Sequence, residues 1–321
     1  MTNQEAQQII SETLNIPLEE AEVILKKAKA GQEFIDDSEI ERWLNERFLP
    51  NIVYIDEEGY AKMCIDALKI QESTAATDFG NSRQRDLGQL WADMTRGYLG
   101  EQAFVLFLKN KFGIEAEMGH EKGKLEDYLP MDIHKIKLPS ESELRSPNIK
   151  IGIKTVKWNG IWFDVGGAQF HHSDIHVLVK VGTGRDHLFA FFKHLSVFKD
   201  KVLKKGVEVG SLNDSEAQTL FDRLPTFAPI PAYICGFTLK DETYSELSYQ
   251  GKKGRKHYKV SSWRGPINPG DLDRIKEREG ITGDVKFLGI ENFSHDKGYL
   301  FNAGNLLWEL ADWKQLVIEQ L

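Results

Sequence analysis

Cysteine is scarce in this chain: Cys64 and Cys235 are the only two in 321 residues. That is too few for a disulfide scaffold or a cysteine-rich zinc site. Long apolar runs are missing as well, and without a stretch of about 18 such residues nothing reads as a membrane span. The opening Met1-Thr2-Asn3-Gln4-Glu5 has neither positive charge nor an apolar core, so no secretory signal is expected. A reducing cytoplasm is the expected location. There is no low-complexity tract and no internal repeat. The length then suits one large domain or two smaller ones, and a 41% hydrophobic content is enough for a sizeable core.

Positive charge is in deficit overall, with a net charge of −8. Its distribution changes what that means. Residues 1–60 hold 14 acidic against 5 basic side chains, while the rest of the chain holds 35 against 36. The acid excess sits in the N-terminal segment, and a polyanion responds to where charge lies rather than to its total.

Residues 3–48 read as short helices. Pro17 followed by Leu18-Glu19-Glu20 marks one start, and Asp37-Ser38-Glu39-Ile40-Glu41 opens another. The segment is acidic and amphipathic, which suits a packing or protein-contact role. A helix-turn-helix would put an acid-rich second helix against DNA. Residues 72–83 read as a linker, so residues 1–75 are expected to form an N-terminal helical region beside a core of 76–321. A long helix is predicted from Arg85 to Lys111, ended by Gly113. Strands are predicted at 130–136, 148–155, 174–181, 188–192 and 232–239, with a helix over 215–224. Strands first clustered and then mixed with helices indicate an α/β (α+β) chain, a mixed central sheet flanked by helices.

Two of these strands carry polar residues that can converge. Alternation puts Ile149, Ile151 and Ile153 on one face and Lys150, Gly152 and Lys154 on the other; Asp132 shares a face with His134 on the preceding strand. A carboxylate and a lysine at the same end of a sheet can hold a divalent metal beside an activated water, an arrangement that hydrolyses phosphodiesters. On the long helix, Tyr98, Phe104, Val105, Met94 and Leu108 mark an apolar stripe that Glu101 interrupts. A carboxylate on such a stripe needs a partner such as a cation. Gly97 and Gly100 flank it and allow close approach of another element.

Arg96-Gly97-Tyr98-Leu99-Gly100-Glu101, Pro130-Met131-Asp132, Ile151-Gly152-Ile153-Lys154-Thr155 and Ser173-Asp174-Ile175-His176-Val177 together resemble the PD-(D/E)xK nuclease superfamily. Their order is that of many restriction endonucleases and archaeal Holliday-junction resolvases, and the likeness covers about a third of the chain, roughly Arg85 to Phe192. The resemblance implies a restriction endonuclease-like core with Glu101 and Asp132 on the metal and Lys154 orienting the attacking water. It implies Mg2+, with Mn2+ as a substitute. Gln169, after Gly166-Gly167, stands near a glutamine of some family members. The chain departs from the pattern at Gly152, where the family has an acid, and at Met131, which splits the Pro-Asp pair. Glu101, Asp127 or Asp164 could supply the missing ligand; otherwise the chain is a non-catalytic relative.

His171, His172 and His176 near Asp174 invite a transition-metal reading. On a strand, however, His172 and His176 would lie about 13 Å apart, too far for one ion. The other basic signal is Lys252, Lys253, Arg255, Lys256, Lys259 and Arg264, an acid-free stretch with Tyr249, His257, Tyr258 and Trp263 interleaved. Such a stretch suits phosphate contacts on double-stranded DNA, with Gly251 and Gly254 allowing backbone approach. The sequence reading is therefore a magnesium-dependent endodeoxyribonuclease of the type II restriction kind. It would act as a homodimer, because cutting both strands of a symmetric site needs two active sites, and would have a methyltransferase as its genetic partner. A junction nuclease and a non-catalytic DNA-binding protein are the alternatives.

Overall fold

The structure, a computed structural model, describes residues 1–29, 33–78, 86–119, 132–184, 186–240, 248–253, 257–268, 270–290 and 298–321. Its helices in chain order are α1 (Asn3–Leu14), α2 (Leu18–Lys27), α3 (Asp37–Arg42), α4 (Glu57–Asp78), α5 (Leu87–Phe112), α6 (Gly167–His172), α7 (His187–His194), α8 (Lys204–Glu208), α9 (Asp214–Arg223), α10 (Asp271–Glu279) and α11 (Leu310–Leu316). Its strands are β1 (Ile52–Ile55), β2 (Glu115–Met118), β3 (Ile133–Lys137), β4 (Ile151–Lys157), β5 (Trp162–Gly166), β6 (Ile175–Val181), β7 (Ile230–Leu239), β8 (Ser248–Lys253), β9 (His257–Ile267), β10 (Asp284–Phe287) and β11 (Gly298–Asn302). Parallel and antiparallel pairs coexist, so the chain is a mixed α/β protein. No described helix is long and apolar enough to cross a membrane.

The contacts divide the chain into two compact units. One comprises Met1–Val53, Gly97–Val181 and Ala232–Leu321; the other comprises Tyr54–Arg96 and Gly182–Pro231. A boundary near residue 75 follows composition, whereas the contacts group residues 1–53 with the sheets.

In the first unit a four-stranded sheet runs β1-β7-β6-β4, and a five-stranded one runs β10-β9-β11-β5 with β8 alongside β9. All seven residues of β6 are buried, as expected for a strand covered on both faces. On one face, Phe237 meets Trp313 of α11 at 4.4 Å, and Trp313 packs on Phe104 and Phe107 of α5. On the other, Leu178, Tyr233 and Cys235 share a core with Phe163, Val165, Tyr299 and Phe301 of the second sheet. The N-terminal helices, with the π-helical segment Trp43–Phe48 that continues α3, enter this same core through Ile10, Ile24, Leu44 and Phe48. They are well formed locally: Thr2 and Glu5 make a reciprocal capping box on α1, and Asp36 accepts from the Ser38 and Glu39 amides at the start of α3. Arg47 then reaches inward, donating to the carbonyls of Cys235, Ala303 and Gly304. A buried guanidinium with several acceptors is a strong tie to the C-terminal segment.

In the second unit Tyr60 of α4 packs edge-on to Phe191 of α7 at 5.0 Å, and the Trp91 indole donates to the Cys64 carbonyl. Both cysteines are buried and free.

Some elements differ from the sequence reading. The run Leu188–Phe192 is helical, within α7, because Ala190 and Phe191 turn inward while Phe189 faces solvent, a helical rather than an alternating pattern. Residues 72–78 continue α4 instead of forming a linker; small polar residues weaken a helix signal without stopping the helix. The two site strands belong to different sheets, since β3 pairs with β2 and β4 with β6. Gly113, at φ 68°, ends α5 as expected.

Candidate active site

The parallel pairing of β4 with β6 sets Gly152 beside His176 and Lys154 beside Leu178. Alternation then turns Lys154 and Gly152 toward the second sheet, and Thr155 toward α5. Asp132, the residue before β3, lies at the outer edge of β4. Its amide donates to the Ile151 carbonyl, and its Oδ2 accepts from the Ile153 amide at 2.5 Å. Thus Asp132 reaches Lys154 by docking on the strand edge, without the two strands pairing as a hairpin.

A pocket of about 160 Å³ opens there, lined by Asp132, Gly152, Ile153, Lys154, Val165, Gln169, Ser173 and His176. The expected pair, the departure at Gly152 and the glutamine of α6 therefore share one cavity. The bond from Ile153 fixes the Asp132 carboxylate, and the strand fixes the Lys154 stem. Gln169 is exposed and free to meet a ligand.

Glu101 is not among the lining residues. A Cβ on Gly100 would collide with Thr155 Oγ1, and that hydroxyl donates to the Gly97 carbonyl at 3.1 Å. The two glycines thus let α5 lie close on the face of β4 that Thr155 occupies, opposite the face bearing Lys154. Glu101 keeps some accessible surface, but burial still pushes its carboxyl up to about 8. An acid with a raised folded pKa costs no stability below its unfolded value near 4.5. The cost grows as pH rises toward 8, where only the unfolded state has released its proton. Glu101→Gln should therefore match the wild type in urea unfolding at pH 4.5 and gain about 2–4 kcal/mol at pH 8, allowing for its partial exposure. Equal loss of stability at both pH values would show an ionised Glu101 engaged with a cation.

The other ligand candidates fare differently. Asp164 neighbours Val165 on β5, so alternation turns it away from the cavity that Val165 lines. Asp127, like Pro130 and Met131, lies outside the described residues. Among the described residues no three His, Cys, Asp or Glu side chains cluster as a ready-made metal cage. Magnesium binds through one or two carboxylates and keeps its waters, and Asp132 offers one such carboxylate in an open pocket.

Sequence reasoning set His176 aside. The ring is 3% exposed, stacks on Phe170 at 4.7 Å, and bonds the Phe170 carbonyl through Nε2 at 3.1 Å. Burial pushes its pKa down to about 4, so it is neutral at physiological pH. The available signal is a polar residue, one of two with Lys180, in a strand of Ile, Val and Leu. His171 and His172 lie on α6, exposed, and not on a strand.

The basic stretch is a hairpin of β8 and β9. Its register sets Lys252 opposite Lys259 and Ser248 opposite Arg264, and Lys259 and Arg264 are exposed. Like charges facing each other across a pair are unfavourable unless an anion lies over them. Gly251 does not serve backbone approach to phosphate: the Tyr258 ring fills the space its side chain would take. Arg255 and Lys256, with Gly254, lie outside the described residues, as do the side chains of Lys252 and Lys253. Comparison of the chain with protein-family models, with curated proteins and with solved structures finds no match.

Proposed function

We propose that the chain is a metal-dependent endodeoxyribonuclease of the restriction endonuclease kind, acting on double-stranded DNA as a homodimer. The observation that carries this reading is the single pocket shared by the Asp132 carboxylate and the Lys154 ammonium, with Gln169 at its mouth. Asp132, held by the Ile153 amide, would hold the ion. A bound divalent cation lowers the pKa of a coordinated water and offsets charge on the phosphate. Lys154 puts a compact positive charge where negative charge develops during attack, and its ammonium can also orient a water. The Gln169 amide can donate to a phosphate oxygen.

The β8–β9 hairpin would follow the DNA backbone, since lysines act as point charges that position without specifying. Alanine at Lys252, Lys253, Lys256 and Lys259 should weaken binding to all sequences alike. It should also flatten the salt dependence by about one unit per lost phosphate contact. An unchanged slope would take the hairpin out of the interface.

The test of the reading is incubation of the purified protein with plasmid and genomic DNA in Mg2+ or Mn2+. Discrete fragments are expected, along with a methyltransferase gene beside this one. Binding without a cut in any sequence would favour a non-catalytic DNA-binding protein, and cutting confined to branched DNA a junction nuclease.

A further inference from the structure

Gly152 stands where the resemblance calls for an acid, and the surroundings show that no acid fits. A Cβ built there would lie 2.7 Å from Ser173 Oγ and 3.0 Å from His176 Nδ1. Both neighbours are buried; His176 is held by the pairing of β6 with β4, and Ser173 caps α6 just before that strand begins, so neither has free space to swing into. What fills the place of the missing side chain is an imidazole nitrogen.

The ring's orientation is settled by its other nitrogen. A carbonyl oxygen only accepts, so the bond between Nε2 and the Phe170 carbonyl requires the proton on Nε2. Nδ1 is left with its lone pair, turned toward Gly152 and into the pocket that Asp132 and Lys154 line. The stack on Phe170, with ring planes 13° apart, locks the remaining rotation. Metal-ligating histidines characteristically donate their second N–H to a carbonyl or carboxylate, which fixes tautomer and aim together.

We propose, resting on the nuclease reading, that His176 Nδ1 is the second protein ligand of the catalytic ion and takes the place of the acid absent at Gly152. One carboxylate oxygen and one neutral imidazole nitrogen make a donor set that suits Mn2+, Co2+ or Zn2+ better than Mg2+. The site is therefore a transition-metal site in which magnesium is the weaker occupant. An acid placed at position 152 would displace Ser173 and His176, so Gly152→Asp does not restore the usual ligand set.

The test uses the full chain without DNA. Imidazole nitrogen–proton NMR spectra are followed as Mn2+ is added, and Mn2+ and Mg2+ affinities are measured by calorimetry. Bleaching of the His176 ring signals at low Mn2+, with those of exposed His257 persisting, is the expected result. The wild type should bind Mn2+ more tightly than Mg2+ by about tenfold or more, and His176→Gln should remove most of that difference. His176→Phe, which keeps the stack on Phe170, should do the same, with a thermal melt confirming that it folds. The NMR arm needs no variant to fold. Persistence of the His176 signals at saturating Mn2+, or equal metal preference in wild type and variants, would overturn the proposal. DNA cleavage is scored separately. Protein that binds Mn2+ through His176 but cuts no DNA defeats the nuclease reading and leaves the site. Protein that cuts DNA with His176 silent defeats the site alone.

Discussion

Asp132→Asn should slow DNA cleavage by about a thousandfold or more while leaving DNA binding intact. The two properties separate because of how Asp132 is held. Its Oδ2 accepts from the Ile153 amide at the edge of β4, and an asparagine oxygen can accept the same bond. The strand edge therefore stays closed and the fold survives. What disappears is the negative charge facing the pocket, which the proposed ion would require. Lys154→Ala should lower the rate by a similar order without abolishing metal binding, because in the proposed mechanism the ammonium acts on the water and the phosphate rather than on the ion. Single-turnover cleavage and gel shifts without divalent ions measure the two halves of the prediction. A variant Asp132→Asn that cuts at near-wild-type rate would move the active site elsewhere.

Gly236→Ala should be the most damaging single methyl in the described chain. Gly236 has φ 131°, a backbone region that side chains rarely adopt. It sits where the pairing of β7 with β6 slips by one residue between Leu178 and Val179. That bulge lets Leu307 approach, and Phe237 exchanges both backbone hydrogen bonds with it, at 2.8 and 2.9 Å. An added Cβ would meet the Leu307 carbonyl oxygen, which is backbone and cannot rotate away. Strain in φ and the clash add, so the loss should be about 4 kcal/mol or more in urea unfolding. Near-wild-type stability would show that the bulge relaxes without cost.

How much of this was legible beforehand depends on the range of the forces involved. The helix now seen as α5 and the buried strand now seen as β6 announce themselves locally, through an apolar stripe and a short run rich in Ile, Val and Leu. Asp132, Lys154, Gln169 and the odd glycine at 152 could be singled out because each stands in a short pattern. The short run Leu188–Phe192 was ambiguous for a physical reason: five apolar residues fit either period, and tertiary burial of Phe191 decides. His176 was illegible because its meaning comes from register. Only the parallel pairing of β4 with β6 places it beside Gly152, 24 positions earlier. Spacing along the chain argued against a metal by comparing it with His172, the wrong neighbour. The place of the N-terminal helices was hidden likewise. Their acidity suggested a separate piece, while Arg47 and Phe48 bind them to carbonyls and rings contributed by residues 233–304.

That last tie bears on how the protein is made. The first 53 residues share a unit with Ala232–Leu321, and some 180 residues lie between. At roughly 5–20 residues per second, a ribosome takes about ten to forty seconds to bridge that gap. During this interval Ile10, Leu44 and Phe48 have none of the β7 and β11 surface they will pack on. The order of synthesis is thus the reverse of what the contacts require, and the newborn chain carries an exposed amphipathic segment. Its 11 acidic side chains should then have an effect with no part in the finished fold: mutual repulsion between neighbouring nascent chains, which opposes their sticking together.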